Sequence, residues 1–244
     1  MIPGLYTAGS ALSQRFKAQE VIAANLSGAT TLGYHRGSTA FTGFGAELYN
    51  AQSSPTDGPR TTAGVQLKEG IWDFHAGPVK QTGGALDFAL QGPGFFVLKT
   101  AQGDRLTRAG AFMLNSKSEL VAPSGDHVMG SRGPITLPKG DITVGADGTI
   151  RVNGSAVDKL SVVAPADMRT MSSTGGGLFQ ASDSDPVKAV DKPEVMGGYL
   201  QQSNVNVPQE MVWMLENNRM AESMGKAMQT IDEMLARASQ DLAG

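Results

Sequence analysis

"SNVNVPQEMVWMLENNRMAESMGKAMQTIDEMLARASQDL", residues 203–242, reads as one long helix closing a chain whose middle reads as strands and turns. Its start is marked three ways. Asn206 is an N-cap type, Gln209 stands three residues on as in a capping box, and Pro208 falls in the first turn, where a missing N–H is harmless. Glu210 adds negative charge at the positive end of the helix dipole. At about 1.5 Å rise per residue, roughly 35 residues extend about 50 Å, more than the width of a domain of this size. Two apolar stripes can be drawn on the segment. One runs Met211, Met214, Asn218, Ala221, Gly225, Met228, Leu235, and the other Trp213, Met220, Met224, Ala227, Ile231, Met234, with Leu215 and Leu242 widening the arc. A helix lying on one neighbour needs one stripe. Two stripes imply two sets of neighbours, and the methionines suit contacts that adapt between partners. The pattern alone is equally compatible with an intramolecular helical hairpin in which methionine fills gaps.

The other end of the chain supplies one neighbour. Residues 3–28 carry Leu5, Ala8, Leu12, Gln19, Ile22 and Leu26 at three- and four-residue steps, with Phe16 beside the seam. Pro3 opens this helix, and Gly28 and Gly33 close it. Residues 33–64, rich in Gly, Ser, Thr and Pro, read as an extended connector with a short helical turn at 46–49. From residue 65 the pattern changes to short apolar runs between turn pairs: Gln102-Gly103, Ala109-Gly110, Ser124-Gly125. Asp147-Gly148 and Asn153-Gly154 each suit a type I′ hairpin turn. Such spacing argues for an antiparallel β domain. Residues 166–197, with glycines at 175, 176 and 177, give no clear pattern.

Composition narrows the chemistry. The 244 residues carry a formal net charge of −3, so no basic field invites nucleic acid. With 0 Cys there is no disulfide framework, thiolate metal site or thiol nucleophile. No charged n-region precedes an apolar run, so no secretory leader is read, and no run approaches a membrane span of about 20 residues. His35, His75 and His127 sit in no metal-ligand spacing and are read as surface or packing residues. "QGPGFF" has no helix after it, as a phosphate loop would require. "GADGTI" is too short for a calcium loop. Ser173 and the three glycines make no nucleophile elbow. Asp183 and Asp185 read as a solvated loop, and Trp72, Phe74, Phe95 and Phe96 as core. The reading is of no catalytic residue, metal site, cofactor or small-molecule substrate.

Four segments carry a resemblance. "VIAANLSGATTLGYHR" (residues 21–36) resembles the N-terminal run of flagellar basal-body rod and hook proteins, with Ala24, Ser27 and Gly28 where that pattern more often has Asn, Ala and Asn. "GPVKQTGGALDFALQGPGFFVL" (77–98) is similar to their "QTGNPLDLAIxGxGFF" segment. "TRAGAFMLNSKSELVAPSGDHVMG" (107–130) matches their "TRxGxFxLxxxGxLV" run, with Ser118 in place of a glycine. "GYLQQSNVNVPQEMVWMLENNRMAESMGKAMQTIDEML" (198–235) is similar to their C-terminal segment. The short connector and "GPITLPKGDITVGADGTIRVNG" point to the proximal-rod type more than the distal-rod type.

The resemblance implies an α+β, mainly β fold. Long N- and C-terminal helices would form a coiled-coil pair around a central antiparallel β-rich domain. Its parts would be an N-terminal helix (1–32), a connector (33–64), a β-rich outer domain (65–197) and a C-terminal helix (198–244), the two helices forming the inner rod domain. It implies a structural subunit that assembles helically with copies of itself and other rod proteins into a torque-transmitting shaft. That shaft would cross the periplasmic space, with ring proteins around it. Export would run through the flagellar type III apparatus without a cleaved leader. The helices would order only when neighbours bury them. The expected assembly interface is Leu5, Leu12, Phe16, Ile22, Leu26, Met211, Met214, Leu215, Met220, Met224, Met228, Ile231 and Leu235. The competing readings are a distal-rod protein, a secreted β-domain binding module on a helical stalk, and a hydrolase with an unrecognised site.

Overall fold

The computed structural model describes residues 3–42, 66–182 and 186–241, while the side chains of residues 3–8, 40–42, 66–70, 231, 232 and 235–241 lie outside this description. The turn expected at 46–49, the Asp183 and Asp185 pair and Leu242 all fall outside the described residues. The architecture is α+β. Helix α1 spans Pro3–Gly28 and helix α2 spans Val207–Asp241. Of the described residues, those within Met1–Leu26, Gly37–Ile71 and Asn206–Gly244 form one compact unit, and those within Ser27–Arg36 and Trp72–Val205 form the other. No helix among the described residues is long and apolar enough to cross a membrane.

In the helical unit, α1 and α2 are accompanied by strand Gly37–Thr42, paired with Gln66–Trp72. The stretch read as a connector therefore begins as a paired strand. Segment 198–235 likewise opens with a strand, Tyr199–Gln201, paired with Val79–Gln81, before α2 starts.

The second unit is built from short strands whose pairings are antiparallel. Its main sheet centres on Phe95–Thr100, flanked by Gly103–Thr107 on one side and His127–Gly130 on the other. Side chains alternate across a strand, so Phe95-Phe96-Val97-Leu98 faces both ways. Phe96 and Leu98 enter a core with Phe88, Phe112, Ile135 and Ile150. Phe95 and Val97 enter a second core with Leu106, Met171 and Phe179. Burial on both faces is why this strand reads as a continuous apolar run. Phe95 and Phe96 are core residues, as expected, and Trp72 and Phe74 pack against the second core. The unpatterned stretch 166–197 contributes strands Ser172–Gly175, Leu178–Gln180, Lys188–Ala189 and Glu194–Gly197. Two to four residues are too few to show a period.

The turns divide by backbone conformation. Asn153 and Gly154 have φ of 51° and 80°, the paired left-handed residues of the expected type I′ turn. Asp147-Gly148 is different, because only Gly148 is left-handed, at φ 81°. Gly148 N–H donates to the Gly145 carbonyl and Gly145 N–H to the Thr149 carbonyl, both at 2.9 Å. The connection is thus a longer loop ending in a left-handed glycine, and the Asp147 carboxylate accepts the Thr149 hydroxyl at 2.7 Å. Ser118 stands at φ 62°, a position the related pattern gives to glycine. Asn115 braces it: its Oδ1 accepts from Lys117 and Glu119 N–H, each at 2.9 Å. Ala109-Gly110 is no left-handed turn. Gly110 is needed for close approach, since its carbonyl accepts Phe88 N–H at 2.9 Å and a Cβ would overlap the Phe88 carbonyl.

Gly110→Ala is therefore expected to destabilise the β unit by more than about 2 kcal/mol through this overlap. Urea unfolding followed by tryptophan fluorescence checks it, and an unchanged midpoint contradicts it.

Candidate assembly interface

Asn206 caps α2 as its sequence indicates. Asn206 Oδ1 accepts Gln209 N–H at 3.2 Å, and the Asn206 carbonyl accepts Glu210 N–H at 3.0 Å. Glu210 itself is buried, at 1% exposure, not a solvated charge at the helix start. Asn25 of α1 donates to its Oε2 at 3.2 Å. The same Asn25 amide holds strand residue Gly37 twice, donating to its carbonyl and accepting its N–H, both at 2.8 Å. Further along α2, buried Asn217 donates to the Arg15 carbonyl at 2.9 Å and to Gln19 Oε1 at 3.0 Å. Asn25 meets Glu210 while Arg15 and Gln19 meet Asn217, so the helices run antiparallel through these contacts. Among the described side chains of α2, the buried ones are the polar Glu210 and Asn217, and Met214, Ala221 and Met228 on the same face are half-buried.

This leaves much apolar surface uncovered. Leu215 is 61% exposed, Met211 54%, Met220 47%, and Phe16 on α1 59%. Val212 and Met234 are exposed too. Leu12, Ile22, Leu26, Met214, Met224 and Met228 are half-buried. The side chains of Leu5, Ile231 and Leu235 lie outside the described residues. Buried polar positions on a helix carry no periodic signal, so only the exposed and half-buried residues were legible in advance.

The β unit offers little chemistry beside this. Among the described residues, no three His, Cys, Asp or Glu side chains cluster as a metal site would require. A groove of about 450 Å³ is lined by Leu98, Phe112, Ala122 and Leu178, with Thr30 and Thr107, and no titratable side chain lines it. His75 pairs with Asp73, and His127 Nδ1 lies 3.7 Å from Glu119. His35 is fully buried and packs against Phe74, Phe95 and Phe179, with ring centroids 5.2, 6.2 and 5.8 Å away. Its Nδ1–H donates to the Asp73 carbonyl at 3.0 Å. Burial pulls the imidazole down to about 4, and the nearby Arg108 charge adds to the effect. Arg108 is itself buried against the Phe95 ring, 5.2 Å from its centroid, and donates to the carbonyls of Leu90 and Gly92 at 3.3 and 2.7 Å. Burial lowers its pKa only to about 10, so it stays charged at neutral pH.

Two terminal helices bonded to each other and bearing uncovered apolar side chains, with no metal-type cluster among the described residues, suit a structural protein. Comparisons with known proteins specify which kind. Three family profiles match: Flagella basal body rod protein over residues 5–34, Flagellar hook protein FlgE/F/G D1 domain over 89–152, and Flagellar basal body rod FlgEFG protein C-terminal over 196–241. The rod protein FlgF of Escherichia coli is 32% identical, with 98% of each chain covered. FlgF of Rhizobium meliloti is 31% identical over 100% of this chain and 99% of its own. FlgG of Buchnera aphidicola from Schizaphis graminum is 27% identical over 98% of this chain and 100% of its own. The chain belongs to the flagellar basal-body rod protein family, of the FlgF/FlgG type, and is a structural subunit of the basal-body rod. Of the readings weighed from the sequence, the rod subunit is the one that family membership supports.

Two outcomes follow from the buried polar groups. Asn25→Ala removes both bonds to Gly37, and stranding such groups costs about 1–3 kcal/mol each. Amide exchange at Gly37 is expected to quicken in the assembled protein; unchanged exchange would contradict the role given to Asn25. For His35, the unfolded chain takes up a proton near 6.5 and the folded chain only near 4. Between these values the unfolded state binds more protons, so stability is lost as pH falls, at up to about 1.4 kcal/mol per pH unit. In urea titrations between about pH 6.5 and 4.5, His35→Gln should lose stability less steeply than the parent. Parallel slopes would contradict it.

Proposed function

We propose that this subunit polymerises helically. In this reading α1 and α2 of each copy pack against those of neighbouring subunits as an inner coiled-coil tube, with the β unit as the outer domain. The observation that carries the proposal is the exposure of Phe16, Met211, Leu215 and Met220 at 47–61% on two helices already bonded to each other through Asn25 and Asn217. Covering such a side chain fully contributes about 1.5–3 kcal/mol. Rim ion pairs contribute about 0–1 kcal/mol each. Burial between copies therefore dominates. A helical filament is a non-closing assembly in which one patch meets a different patch on the next copy. Different flanks of α2 are apolar, which is what such packing requires.

Leu5, Leu12, Ile22, Leu26, Met214, Met224, Met228, Ile231 and Leu235 complete the proposed contact set. The partners are copies of this chain and other rod proteins, within a shaft that crosses the periplasm and carries torque to the hook. Delivery is through the flagellar export apparatus, and ring proteins surround the assembled shaft. The proximal-rod type is supported by the short connector and by the whole-length likeness to proteins named FlgF at 31–32% identity. Backbone ordering costs about 1–2 kcal/mol per residue. The helices therefore order fully only where neighbours cover them.

Leu215→Asp and Met220→Asp each put a charge on an uncovered face without touching the β unit. Each is expected to abolish rod incorporation and swimming while the β unit keeps its thermal unfolding midpoint. Motility assays and electron microscopy of isolated basal bodies read the outcome, and normal swimming in both variants would overturn the proposal.

A further inference from the structure

Asn204 stands just before the cap of α2, yet its side-chain partners belong to the β unit. Its Nδ2 donates to the carbonyls of Asp73 at 2.8 Å and His75 at 3.0 Å. Its Oδ1 accepts Arg36 N–H at 2.7 Å. Its own N–H donates to the Tyr34 carbonyl at 3.3 Å. Asp73 N–H in turn donates to the Arg36 carbonyl at 2.9 Å. The Asp73 carbonyl takes a second donor, His35 Nδ1, whose ring is embedded among Phe74, Phe95 and Phe179. One amide thus ties residues 34–36, 73–75 and 204 to each other and to an aromatic core.

Those three stretches have something in common besides these bonds. The chain passes between its two units after Leu26, Arg36, Ile71 and Val205. Asn204 and its partners sit at the last three of these four passages. We propose that Asn204 is a positioning residue that gathers three chain passages at the edge of the β unit, whether or not the helices are packed. Only a primary amide supplies one acceptor and two donors on a single short planar group. Aspartate would keep the acceptor for Arg36 and place charge against two carbonyls. Leucine would offer nothing. Passages held in one hydrogen-bonded knot cannot splay independently, so ordering the helices demands no rearrangement of the β unit. That last consequence rests on the assembly reading, while the knot itself does not.

Hydrogen exchange on the dilute, unassembled full-length chain tests the knot apart from assembly. In Asn204→Ala, the Arg36 and Asp73 amides should exchange about tenfold faster or more, while Leu98 and Val128 in the main sheet keep their protection. In Asn204→Asp, Asp73–His75 should loosen while Arg36 keeps more protection than in the alanine variant. The proposal is overturned if Arg36 exchange is unchanged in Asn204→Ala. Equal loss of protection at Leu98 and Val128 also overturns it, because Asn204 would then be a general folding residue. An aspartate variant that exchanges like the parent chain overturns it as well.

Discussion

The circumference of α2 sets the terms for the rest of the molecule. Apolar side chains are spread around this 35-residue helix, and Met211, Val212, Leu215 and Met220 stay exposed with α1 in place. Its partner α1 touches it through Asn25, Arg15 and Gln19, bonded to Glu210 and Asn217. Buried hydrogen bonds of this kind fix register and direction better than they add stability, because each contributes modestly while mispairing them is expensive. Met214, Met224 and Met228 are half-buried, while Met211, Leu215, Met220 and Phe16 remain uncovered. In the proposed assembly the pair would align itself through these bonds, and the uncovered side chains would be left for neighbouring subunits.

The β unit answers a different demand. Its central strand is buried on both faces, and two aromatic-rich cores form either side of it. Fixed turns at Ser118, Gly148 and Asn153-Gly154, and the close pass of Gly110 beneath Phe88, hold short strands in register. None of this depends on the exposed helix faces. The knot around Asn204 belongs to the same unit, so the places where the chain departs are braced by the core.

Much of this was legible in the residues. Pro3 and Asn206 with Gln209 fixed both helix starts, and the alternation and turn pairs identified an antiparallel body. What escaped was tertiary in origin. Nothing in the residues marks Asn25 or Asn217 for burial, and Glu210 reads only as a charge near the helix start, because sequence assigns polar residues outward by default. Their burial is set by partners up to 202 positions away. Gly110 looked like a turn residue because glycine gives the same letter for a left-handed backbone and for a close approach. Asp147-Gly148 suggested the tightest hairpin, yet the loop is longer because its aspartate is not left-handed. The strands between 166 and 197 are too short for periodicity, and only their pairing reveals them. On α2, spacing showed where the apolar side chains lie, whereas the burial of Glu210 and Asn217 among them was not readable.

The central claim is that the flanks of α2 are covered by other molecules. Amide exchange along residues 211–230, measured in the dilute chain and in isolated rods, tests it most directly. The account predicts rapid exchange in the dilute chain and strong protection in the rod. Full protection of these amides in a chain shown by sedimentation to be a monomer would contradict it.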